Sequence, residues 1–376
     1  MTTINAVSCS ESDVQTAINS AVNGDTVIVP TGTCTWTNAI NMNQKAITLQ
    51  GAGIDKTIIN GSVNTNNGSI VITGHATLHT IIKDFTINSA TSQTWYPVIT
   101  TNGVYSNTGV IRITGCKFNT TQTIIVMYGN QSILLDNNNF ILTGGNPAEI
   151  MFIHGDGSPS WSRPNNFGSG TGQVIMENNV FDASLNTAGG WAYAFTALDG
   201  ARFTLRYNTL INCYISANPN TWGHPYAARQ SEIYNNTFST SRLIDLKGGT
   251  SVIYNNIGGT ITLHAPTLFY PSDTNAQCCC ISNLTNAACT QRPGMGYNYQ
   301  LDPIYIWGNS NDTPEIIDYD GNECDSGCGG HQITSNAIRL NTEYVIGTQK
   351  PGYVSLVYPH PLNTTCPSIQ ILFGVT

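Results

Sequence analysis

Residues able to do acid–base chemistry are few in this chain of 376 residues, and they cluster. His154 and Asp156 close the apolar run Ile150 to Ile153. Two apart on a strand, they would point to one side, as an imidazole with its orienting carboxylate or as half of an acidic pair. Asp199 and Arg202 follow the apolar run Ala194 to Leu198. The densest group is Trp222, His224, Tyr226, Arg229 and Glu232. Asp245 and Lys247 alternate with Ile244 and Leu246, so both are expected to face outward. Two reactions suit these side chains. In an elimination, a Lys, Arg or His removes the proton α to a carboxylate, and a cation stabilises the charge that develops. Arg229, Lys247, His224 and His154 are the candidates for that. In a hydrolysis, carboxyl groups serve as acid and base, with Asp156, Asp199, Glu232 and Asp245 available. Trp161, Trp191 and Trp222 are candidate stacking platforms for sugar rings, with Arg202 and Tyr226 as further binding groups. Asp318, Asp320, Asn322 and Asp325 offer dense oxygen ligands to a Ca2+ ion, without the loop spacing of an EF-hand.

These residues must be positioned by strands, since the sequence predicts a single clear helix. Ser10 or Ser12 can cap it, and Val14, Ala17, Ile18, Ala21 and Val22 follow helical spacing up to Asn23-Gly24-Asp25. The strand Thr26–Val29 follows and stops at Pro30. Beyond it come short β-favouring runs punctuated by Gly and Asn. Related units recur and end at Phe118, Phe140, Phe181, Leu210, Phe238 and Ile257, with intervals of 22, 41, 29, 28 and 19 residues. Asp136-Asn-Asn-Asn-Phe140 and Tyr234-Asn-Asn-Thr-Phe238 show the pattern. A period of roughly 20–30 residues with insertions marks a solenoid, whose coils bury their apolar residues by stacking. Asn at one turn of successive coils can hydrogen-bond along the stack and tolerates left-handed backbone. The helix would cap the open end and block edge pairing.

The opening resembles a known superfamily. Ser8-Cys9, Asp13-Val14-Gln15, Gly24-Asp25-Thr26-Val27, Gly32, Cys34-Thr35-Trp36 and Leu49-Gln50-Gly51-Ala52-Gly53 are similar to the start of secreted bacterial right-handed parallel β-helix proteins of the pectate-lyase-like superfamily. Pro303 to Asn309 and Lys350 to Leu362 resemble the tail of an uncharacterised branch. The resemblance implies an all-β fold, a right-handed parallel β-helix with an N-terminal capping helix and a disulfide-containing, loop-rich C-terminal part. The expected layout is one domain over residues 1–376: a cap at 1–36, repeat coils at 37–265, and C-terminal coils and disulfide-rich loops at 266–376. It implies action on, or binding of, an extracellular polysaccharide, by lyase or hydrolase chemistry if catalytic. The superfamily's polygalacturonase and lyase motifs are missing here, which keeps a second class open: a non-catalytic adhesin, fibre subunit or phage tailspike-like protein.

Composition narrows the partners and the compartment. Lys and Arg total 14 against 22 Asp and Glu, a net charge of −8, which disfavours a nucleic-acid partner. No run approaches the ~18 apolar residues of a membrane span. Eleven cysteines favour disulfides over zinc and point to a secreted protein. Cys9 and Cys34 bracket one helix and one strand and form a plausible staple, whereas Cys116 and Cys213 sit in strand-like segments as small hydrophobes. The start of the sequence shows no charged region followed by an apolar one, so the expectation is that a signal peptide has been removed or that the protein leaves the cell another way, release by lysis as for a phage particle included. Monomer and homo-oligomer are both open, and no cofactor beyond Ca2+ is implied.

Overall fold

A computed structural model describes residues 1–63, 68–89, 96–103, 105–121, 123–144, 148–186, 192–217, 226–239, 244–264, 291–317 and 338–364. Among them, short strands follow one another around a triangular coil and stack into three sheets. Sheet I has twelve strands, sheet II ten and sheet III eight. Each ladder pairing joins a strand to its counterpart one coil away, and all are parallel, as between Ile133–Asp136 and Val174–Glu177. The expected parallel β-helix is present.

The N-terminal helix, Glu11–Ser20, is closed at both ends. The Ser10 hydroxyl accepts from the Asp13 backbone N–H at 3.3 Å. At the other end the Lys45 ammonium donates to the carbonyls of Ile18, Asn19 and Ala21 at 2.7, 2.8 and 2.9 Å. Its apolar side, Val14, Ala17 and Ile18, seals the first coil. Cys9 and Cys34 form the expected disulfide, and Cys116 and Cys213 are buried free thiols. The cysteines of the C-terminal third lie outside the described residues.

The Asn repeat is the axial element of the stack. The side chain of Asn208 donates to the Asn236 amide oxygen at 3.0 Å and accepts from the Asn179 amide at 3.0 Å. The chain of amides runs from Asn138 through Asn179, Asn208, Asn236 and Asn256 to Asn309. The residue before each is left-handed, as at Asn137 (φ 56°), Asn178 (φ 56°) and Asn235 (φ 54°). Asn bears that conformation at low cost, which explains the Asn-Asn doublets. The ring that follows points inward: Phe118, Phe140 and Phe181 stack with centroids 4.7 and 4.9 Å apart.

Sheet I has a covered outer face. Residues 353–363 run along it as a strap. The buried guanidinium of Arg206 donates to Glu177 at 2.6 Å and to the carbonyls of Leu356 and Val357 at 2.7 and 3.0 Å. Glu177 in turn accepts from the His360 N–H at 3.0 Å.

Candidate functional site

The outer face of sheet II gathers acid–base side chains by register. Phe152, Thr196, Ser216, Asp245, Thr262 and Glu315 occupy one row across six neighbouring strands. Because facing strands repeat at about 4.8 Å, such a row spans roughly 25 Å. Glu149 and Phe152 both face outward, since Ile150 and Met151 between them are buried in the core. Tyr193 lies opposite Glu149, and Tyr214 opposite Tyr193. Aromatic rings therefore border the polar centre.

Three groups stand on this face. The first is His154, whose Nδ1 lies 3.1 Å from the Asp199 carboxylate, with Tyr128 stacked on the imidazole at 4.9 Å. Asp199 (φ 56°) and Gly200 (φ 76°) make a left-handed turn that brings the carboxylate back over the preceding coil. That approach requires Gly155, where a Cβ would meet the Asp199 carbonyl oxygen at 2.3 Å. Tyr128 remains 40% exposed, and burial together with Asp199 pushes its phenol above the ordinary value. The second group is Glu149, half-buried, accepting from the Thr196 hydroxyl at 2.9 Å. Desolvation pushes its carboxyl up to about 7, against the opposing pull of the Thr196 hydrogen bond and Lys247. The third is Asp245, 3.3 Å from the Lys247 ammonium and 3.1 Å from the His264 imidazole. Burial lowers the His264 value while Asp245 opposes it.

The sequence-derived candidates distribute as follows. His154, Asp199, Asp245 and Lys247 share the sheet II face. His154 and Asp156 do not form the expected couple: the strand ends at His154, and the turn that follows directs Asp156 to Arg163 and to the Asn130 amide at 2.7 Å. Arg229, Glu232 and Arg202 lie at sheet I and have no solvent exposure. Glu232 accepts from the Gly168 N–H at 2.9 Å and the Tyr353 hydroxyl at 2.8 Å, and burial raises its carboxyl value. Arg202 is wrapped by the loop at 160–166, donating to the carbonyls of Ser160 and Pro164 at 2.8 and 3.0 Å. Trp161 is fully buried, stacked on Tyr299 at 5.2 Å, so it presents no face to a sugar. Tyr226 is half-buried and packs in the same small cluster. Trp191, Trp222, His224, Asp318, Asp320, Asn322 and Asp325 lie outside the described residues. Among the described residues no group of three or more His, Cys, Asp or Glu side chains could hold a metal ion.

Sequence reasoning missed Tyr128, Glu149, Thr196, Tyr193, Tyr214 and His264. Counting from the repeat units does not pair them, because Tyr128 lies 10 residues after Phe118 but His154 14 after Phe140, and Lys247 9 after Phe238 but His264 7 after Ile257.

No protein-family model and no curated protein matches the sequence. Among solved structures, the chain is similar to an alginate lyase from Paenibacillus sp. str. FPU-7, with 14% identity and a TM-score of 0.43, covering 69% of this chain and 95% of that one. It is also similar to the ORF18 protein of Geobacillus virus E2, with 16% identity and a TM-score of 0.31, covering 69% of this chain and 57% of that one.

Proposed function

We propose that the outer face of sheet II binds a polysaccharide and acts on it by acid–base chemistry. One observation carries this reading. Glu149, with a carboxyl held up to about 7, shares one aromatic-bordered face with the His154–Asp199 pair and the Asp245–Lys247–His264 cluster. A carboxyl that keeps its proton near neutral pH is suited to donate it to a glycosidic oxygen. An imidazole fixed by a carboxylate is suited to accept one. Tyr128, Phe152, Tyr193 and Tyr214 offer apolar surface to pyranose rings. The strip is long enough for several sugar residues of an extended polymer. The Cys9–Cys34 disulfide supports an oxidising, extracytoplasmic setting.

The test is a screen of the purified protein against acidic and neutral polysaccharides, reading reducing ends, the ultraviolet absorbance of a new C=C bond, and binding. Reducing ends alone identify hydrolysis, with Glu149 as the acid. New absorbance identifies elimination, with His154 or Tyr128 as the base. Binding without cleavage, abolished by substitutions at Tyr193 and Tyr214, would make the face a glycan-binding surface without catalysis. Failure to bind any member of a broad panel would overturn the reading.

A further inference from the structure

Beneath the loop at 157–168 cationic side chains outnumber anionic ones, and two of them, Arg202 and Arg229, are fully buried against sheet I. Arg163, Arg202, Arg229 and Lys350 face Asp156 and Asp302. Arg163 is committed to Asp156, and Lys350 to Asp302. Asp302 also accepts from the Asn165 amide. Arg202 spends its donors on neutral acceptors, the carbonyls of Ser160 and Pro164 and the side chain of Asn166. Among the described residues Arg229 has no carboxylate within ion-pair distance, and Asp302 acts on it only from farther off. Arg229 is 0% exposed, and its Nη2 donates to the Asn165 side-chain oxygen, while Nε and Nη1 have no acceptor. The adjacent Gln230, in register with Arg202, has a buried amide nitrogen that also lacks an acceptor. The nearest buried acid along the strand, Glu232, is taken by Gly168 and Tyr353.

A buried guanidinium with two idle donors is among the most costly groups a core can hold, and such charges are ordinarily paired. One face of the guanidinium lies over the Trp161 ring, with the centroid 5.4 Å from the guanidinium carbon, a cation–π contact that offsets part of the charge but accepts no hydrogen bond from the in-plane donors Nε and Nη1. Idle in-plane donors around a fixed positive charge suit a small, monovalent, weakly hydrated anion. We propose that Arg229, with Gln230, forms a buried binding site for chloride that locks the 157–168 loop onto sheet I. The depressed ionisation of Arg229, to about 9, with burial as the main cause and Arg202 as the next, agrees with a site in need of negative charge. A bound anion would neutralise the excess and accept the idle hydrogen bonds.

The test compares the melting temperature of the intact protein after prolonged dialysis into sodium chloride or sodium gluconate at constant ionic strength, because gluconate is too large for a buried site. Chloride should raise the melting temperature saturably, on the order of 2 °C or more. R229Q, which removes the charge, should melt identically in the two salts. Crystals grown in bromide should show an anomalous peak beside Arg229. Equal melting of the wild-type protein in both salts, or chloride dependence undiminished in R229Q, would overturn the proposal. Should R229Q not fold, the wild-type salt comparison and the bromide peak decide alone, and absence of both refutes the site.

Discussion

Glu149 makes the sharpest quantitative claim on the sheet II face. Its carboxyl has an ordinary value of 4.5 and is held at about 7 in the fold. At about 1.4 kcal/mol per tenfold change, ionising it inside the native state costs roughly 3 kcal/mol more than in the unfolded chain. The sign follows from proton uptake. Between 4.5 and about 7 the folded state retains a proton that the unfolded state has released, so stability falls as pH rises through this window. Below the window the cost is absent; above it the cost is complete. The substitution E149Q keeps an acceptor for the Thr196 hydroxyl but cannot ionise. Urea unfolding of both proteins should therefore diverge with pH. Relative to the wild type, the variant should gain roughly 3 kcal/mol between about pH 4 and about pH 8. Using the difference cancels the shared contributions of Glu232, His264 and His360. Stability curves that stay parallel within ~0.5 kcal/mol over that range would refute the desolvated carboxyl and, with it, the acid assigned to Glu149.

Further outcomes are expected elsewhere in the molecule. Asn208 accepts from the backbone and side chain of Asn179 and donates to Met176, Arg206 and Asn236, so N208A should cost roughly 3 kcal/mol in chemical denaturation, because it strands buried donors. The half-buried Asn88, bridging Asn60 and Asn119 at 2.8 Å on sheet III, should cost under ~1 kcal/mol in N88A by the same assay. Opening the Cys9–Cys34 bridge, which spans 25 residues, should cost roughly 3 kcal/mol, read as the difference between C9S/C34S and the oxidised protein. Once a cleaved polymer is found, H154A should lower kcat on the order of 100-fold with KM little changed, and D199N should shift the basic group's pH profile.

The coil was legible because its cause is local. A left-handed residue, an amide that reaches the next coil and an inward ring must come in that order, so Asp136-Asn-Asn-Asn-Phe140 announces a turn of the solenoid. The disulfide was legible for a similar reason: its two ends flank the capping helix. The site was half legible. Alternation alone placed Asp245 beside Lys247, but the partner of His154 came from another coil, 45 residues away. Which strands become neighbours depends on insertions as long as the 41-residue interval between Phe140 and Phe181, and periodicity cannot see across those. Arg229 and Glu232 misled for a different reason. Polar residues alternating with core residues on a strand look solvent-facing, yet Tyr353, 121 residues later, covers Glu232. Burial imposed by so distant a segment leaves no local trace in the strand itself.

The three outer faces meet the same physical demand in different ways, and the difference locates the chemistry. A parallel sheet normally has both faces covered. Sheet I meets this with the strap at 353–363 and so can keep Arg206 and Glu177 paired out of water. Sheet III leaves its face half-open and carries the amides of Asn60, Asn88 and Asn119, bonded to one another, with Lys117 and Asp182 among its charged positions. Sheet II is also half-open, yet it carries Glu149, His154, Asp245 and His264, and partial exclusion of solvent holds Glu149 and His264 toward their neutral forms. Fixed on rigid strands instead of loops, these groups hold the positions that the proposed acid–base reaction would use. The tuning of Glu149 depends on the same partial exclusion of water that makes it costly, so a substitution that opens the face around it, such as Y193A, should lower its ionisation toward 4.5 while leaving the coil intact. Titration of Glu149 by carbon NMR in that variant, unmoved from about 7, would show that the aromatic border does not set the electrostatics of the site.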